Sequence, residues 1–204
     1  MITASLQKTA ITLLLDPLMG VVATQKFSLP VSRAISSTYI KKLDSEIAQF
    51  EAANDTEHAD AWRKEKESFT FDDAKEKVQR YPNDLVFKFD LGRLLYEKSE
   101  INEAIQLFQL AQRNPQKRIS SLLYLGLCFK QKGQHDIALE QLQKALSELP
   151  IMDDTKKEVL YELGQISDAM GDSEKAVTYY KEIYGVDISY RDVTAKIERF
   201  YDKK

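Results

Sequence analysis

Cysteine is nearly absent from this 204-residue chain. Cys128 stands alone, so no intramolecular disulfide framework and no multi-cysteine metal site can form, and the usage fits a reducing compartment. Set between Leu127 and Phe129, it reads as a small buried thiol rather than a reactive one. The two histidines, His58 and His135, have no second ligand at metal-binding spacing. Phosphate loops, dinucleotide fingerprints and zinc-protease motifs are all missing. With no catalytic, cofactor-binding or metal-binding constellation, the chain is expected not to be an enzyme and to need no cofactor.

A basic excess is missing too. The 29 Lys and Arg against 32 Asp and Glu leave a net charge of -3, spread along the chain, which lacks the electrostatic footprint of a nucleic-acid binder. Long apolar runs are also lacking. The stretch Ala10–Thr24 is interrupted by Asp16, Pro17 and Gly20, and falls short of the roughly 20 apolar residues of a membrane span. Lys8 before it and Val21-Val22-Ala23 at its end resemble a cleaved leader, but Asp16 in the apolar region argues against one. A cytoplasmic location is therefore favoured, with secretion or membrane association through this stretch as the alternative. Only seven glycines and five prolines occur, so loops are few.

Against that scarcity, the placement of glycine is informative. Gly92, Gly126 and Gly164 each follow a leucine, and each precedes an alanine by twelve residues: Ala104, Ala138 and Ala176. A helix interior normally avoids glycine, so its recurrence marks a close helix crossing repeated unit after unit. Phe108, Leu142 and Tyr180 follow the alanines as bulky plugs. Gly133 and Gly171 fall where the first helix of a hairpin must end, while Pro115 and Pro150 stop the second helix.

The chain divides into four regions on this reading. Residues 1–38 form an apolar, irregular N-terminal arm. Residues 39–84 form a charged helical region with degenerate repeat-like helices, their apolar faces being Ile40-Leu43-Ile47-Phe50, Ala61-Trp62-Phe69 and Phe71-Ala74-Val78-Tyr81. Asn54-Asp55-Thr56 breaks the first helix and caps the second. Residues 85–187 hold three units, 85–118, 119–152 and 157–187, with a four-residue insertion before the third in which Asp153 or Asp154 caps the following helix. Residues 188–204 form a C-terminal capping helix with Val193, Ile197 and Phe200 on one stripe, started by a capping box of Ser189 and Asp192.

These residues resemble the tetratricopeptide repeat: a large residue, Leu-Gly, an aromatic or aliphatic residue, then Ala, a bulky residue and a closing Pro. The second unit matches best, through Leu122, Leu125, Gly126, Phe129, Ala138, Leu142, Ala145 and Pro150. The first departs at Lys88, and the third at Ser167 and Ile183, which puts its junction with the last helix in question. The resemblance implies an all-α fold, a right-handed superhelical stack of antiparallel helix pairs whose first helices line a concave groove. It also implies a non-catalytic adaptor that holds a peptide or helix of a protein partner there. In family register the groove is lined by Phe89, Arg93 and Tyr96, by Leu123, Tyr124 and Leu127, and by Tyr161, Glu162 and Gln165. The acids Asp90, Glu97, Glu158 and Glu162 would repel a carboxylate terminus, so the cationic clamp of some relatives is not expected. The alternative role is a structural assembly subunit that docks through its N-terminal region onto another copy or onto a membrane-associated complex.

Overall fold

The computed structural model describes residues 29–202, so the expectations for the apolar stretch Ala10–Thr24 lie outside the described residues. The described residues form helices joined by short turns, with no strand among them. None of these helices is long and apolar enough to cross a membrane. Two compact units meet in sequence between Asp73 and Ala74.

Helix α1 (Leu29–Ala52) pairs with α2 (Thr56–Arg80), whose residues up to Asp73 belong to the first unit. Helix α1 begins nine residues before the end of the arm expected to be irregular. Helix α2 runs on where two helices were expected, because Thr70 is no breaker: its hydroxyl bonds back to the Lys66 carbonyl at 2.7 Å, and the ladder continues. The turn between α1 and α2 places Asn54 at φ 56°, and Asp55 caps α2 by accepting from the His58 amide at 3.2 Å.

Antiparallel rungs join the pair. Ser36 donates to Asp73 at 2.6 Å, the Tyr39 and Phe69 rings meet edge-on at 4.5 Å, Lys66 reaches Asp44 at 2.5 Å, and Arg63 pairs with Glu51. Leu43 and Ala59 are buried at the contact.

The second unit stacks three antiparallel hairpins. They are α3 (Leu85–Glu97) with α4 (Ile101–Ala111), α5 (Arg118–Gln131) with α6 (His135–Ser147), and α7 (Asp154–Ala169) with α8 (Ser173–Tyr184). A last helix, α9 (Val193–Asp202), packs on α8. Asp84, Asp153 and Asp172 cap α3, α7 and α8 by accepting backbone N–H groups at 2.8 to 3.2 Å, which settles the cap of the third unit on Asp153.

Each hairpin is closed by its glycine and plug. A methyl on Gly92 would stand 3.0 Å from a Phe108 ring carbon, and one on Gly126 would stand 2.5 Å from Leu142 Cγ. At Gly164 the Tyr180 ring is closer still. Such approaches are under van der Waals contact, so only glycine lets the plug sit over the backbone. Ala104, Ala138 and Ala176 are buried beside them for the same reason.

The turns also repeat. Ser99 at φ 62°, Gly133 at 72° and Gly171 at 83° occupy one position, and the next residue's N–H returns to the carbonyl five back in each: Glu100 to Leu95, Gln134 to Phe129, Asp172 to Ser167. Ile183, which stands where alanine is usual, is fully buried with Leu160, Tyr180 and Val193, so its extra bulk reaches α9. The expected capping box at Ser189 and Asp192 does not form. Helix α9 starts four residues later than Ser189, and Asp192 instead accepts a hydrogen bond from the Tyr161 hydroxyl at 2.6 Å.

Candidate protein-interaction face

The first helices α3, α5 and α7 lie side by side, and the residues expected on their shared face fall into distinct environments. Tyr96, Tyr124 and Leu127 are half-buried, and Arg93 is exposed with its Nη2 3.9 Å from Glu97. Tyr124 is the hub of this part. Its ring stacks on Phe108 at 5.0 Å and meets Phe89 and Tyr96 edge-on at 5.8 and 5.6 Å. The plug that closes the first hairpin thereby fixes the ring that the second hairpin presents, a geometry that adds to plain burial. Burial raises the pKa of both hydroxyls; Glu162 and Glu158 add to the rise at Tyr96, while at Tyr124 Arg93 works against it and Glu97 and Glu158 add to it. Both hydroxyls stay neutral donors at ordinary pH.

Phe89 and Leu123 are buried instead. Phe89 packs edge-on against Phe108 at 5.7 Å beneath the Lys117 ammonium, 4.7 Å from its centroid. Leu123 joins Leu122, Leu142, Val159 and Leu163 in the core where α5 meets α7. It therefore offers no groove surface, because the next hairpin covers it.

The third hairpin carries a polar network. Glu162 is only 7% exposed. One of its oxygens takes the Lys130 ammonium at 2.6 Å, and the other lies 3.5 Å from Arg191. Lys130 also donates to Gln165 at 2.5 Å, so α5 and α7 are tied across the face. A buried carboxylate is tolerable here because two cations neutralise it. Tyr161 is buried as well, with Arg191 over its ring at 4.6 Å, and its hydroxyl pKa is pushed up to about 12 by burial and then by the bond to Asp192.

Lys130 and Arg191 were not expected here. Lys130 was legible, since it follows Gly126 by four residues as Tyr96 follows Gly92. Arg191 gave no such signal, because it belongs to no repeat. Cys128 is fully buried, and desolvation pushes its thiol up to about 12, the behaviour of an inert core residue.

Sequence profiles of the tetratricopeptide repeat match residues 120–150 and 157–187, the second and third hairpins. The chain carries tetratricopeptide repeats. The first hairpin of the stack repeats the same glycine, plug and turn geometry without a profile match of its own. No curated protein matches the chain by sequence.

Among solved structures, the chain is similar to MamA, with 18% identity over 71% of this chain and 82% of that one and a TM-score of 0.60. It is also similar to pilF of Pseudomonas aeruginosa, with 14% identity, 84% and 70% coverage and a TM-score of 0.58. At such identity these likenesses show the fold alone. Tetratricopeptide repeats make the chain a protein-protein interaction module.

Proposed function

We propose that the shared face of α3, α5 and α7 is the docking groove of a protein partner, which lies across Tyr96 and Tyr124 as a peptide or helix. The carrying observation is the pair of half-buried tyrosines 5.6 Å apart, rooted through Phe108 in the core and rimmed by Arg93, Glu97 and Glu158. Rigid amphipathic rings with hydroxyls at their rims, framed by charges of both signs, are the residues that carry binding energy at interfaces. Because the scaffold already holds the rings, little side-chain entropy is lost on docking.

A panel of immobilised random heptapeptides tests this with the full chain. Peptides selected by the native protein are expected to lose binding at least about tenfold to the Tyr96→Ala/Tyr124→Ala variant, as hot-spot truncations do. Circular dichroism checks that the variant keeps its helices. Undiminished binding by the folded variant would overturn the reading.

A further inference from the structure

The segment between α8 and α9 does not simply turn the chain. It crosses back over α7, held by Asp187 at 3.1 Å from the Lys157 ammonium and by Asp192 under the Tyr161 hydroxyl. Between these two ties Arg191 lies over the Tyr161 ring, 4.6 Å from its centroid, and 5.2 Å from that of Tyr190. Its Nη2 is 3.3 Å from Glu158 and its Nη1 3.5 Å from Glu162, so one planar fork spans two carboxylates a helical turn apart. A flat face on a ring with two acids at its edge is a fit for a guanidinium, whereas an ammonium would satisfy only part of it.

The guanidinium is held loosely and its backbone firmly. Arg191 is still 41% exposed and its two ion pairs are long. Its backbone sits at φ 46°, a left-handed conformation that a non-glycine residue adopts only when its surroundings hold it there. The seat also adjoins the tyrosine pair, since the charges of Glu158 and Glu162 reach Tyr96.

We propose that Tyr161, Glu158 and Glu162 form a seat for an arginine of the partner segment, and that the chain's own Arg191 occupies the seat until that arginine displaces it. This rests on the docking groove described above and adds the chemistry of its occupant: a segment with an arginine near its apolar anchor. Asp187 and Asp192 keep the crossing segment tied when the guanidinium leaves, so displacement does not require α9 to detach.

The test uses the full chain and three synthetic heptapeptide libraries that differ only at a fixed central residue: arginine, lysine or citrulline. Binding is read by fluorescence polarisation to the native protein and to Arg191→Ala, with Arg191→Gln as a second variant should the first not fold. Removing an occupant that fills the seat nine-tenths of the time raises apparent affinity about tenfold, and this gain is expected for the arginine library alone. Adding Glu158→Gln to Arg191→Ala should remove most of the gain. Equal or weaker binding of the arginine library to the emptied seat overturns the proposal, as does an equal gain for all three libraries. If peptides bind without arginine preference yet lose binding in the Tyr96→Ala/Tyr124→Ala variant, the groove stands and the seat falls. If that variant binds as the native protein does, the groove itself fails.

Discussion

The hairpins α1–α2 and α5–α6 are closed by the same turn and held by different chemistry. Asn54 and Gly133 both take the left-handed conformation, and five residues later Ala59 and Ala138 are both buried. Counting back seven from the turn gives half-buried Ile47 in the first hairpin and Gly126 in the second. Counting on nine gives exposed Arg63, ion-paired with Glu51 and Asp60, against fully buried Leu142.

Where glycine and plug are present, a side chain lies over the opposing backbone and the helices share a dry core. Where both are replaced, few residues are buried, and the helices meet through a ladder of hydroxyl, aromatic and ionic rungs. The alanine and the turn alone give a hairpin, but not a repeat core.

The largest test of this contrast removes a plug. Phe108→Ala is expected to cost about 3–5 kcal/mol, because it empties the first hairpin's core and unseats Tyr124. Lys66→Ala, which breaks an exposed rung to Asp44, is expected to cost less than about 1 kcal/mol. Urea midpoints followed by circular dichroism decide between them, and comparable losses would mean that the two hairpins are held alike.

Gly126→Ala sharpens the same point. Overpacking against Leu142 should cost about 1–3 kcal/mol, partly offset by the roughly 1 kcal/mol better helix propensity of alanine. In a Leu142→Ala background the clash is gone, so the sign is expected to reverse and Gly126→Ala to stabilise. A double-mutant cycle in thermal melts reads this directly, and additive effects would break the glycine–plug account.

The smallest effect belongs to the turns. Ser99 stands at φ 62° where its two counterparts are glycine. Ser99→Gly is expected to stabilise by up to about 1 kcal/mol through relief of left-handed strain, and Gly133→Ser to destabilise by a similar amount. A lower melting temperature for Ser99→Gly would show that its side chain does something the backbone does not require.

Much of the second unit was legible because its cause is local and periodic. Leu-Gly, the alanine twelve on and the plug four beyond fix which faces meet, and Gly133 and Gly171 mark the turns. The face was less legible. Of the residues expected to line it, Tyr96 and Tyr124 are half-buried and Arg93 is exposed, whereas Leu123 is roofed by α7, and the unexpected Lys130 ties α5 to α7. The first unit was legible only as charged helix. Its pairing rests on rungs between residues as far apart as Ser36 and Asp73, and no period announces them.

By itself, then, the sequence determined the helix pairs, their turns and the close contacts inside each hairpin, since those depend on side-chain size at fixed spacing along one helix or across one turn. Only the tertiary structure decided which of the face residues remain open to solvent. That depends on what the neighbouring hairpin covers and on where the non-repeating segment before α9 lays Arg191, and neither is encoded in the period of the repeat.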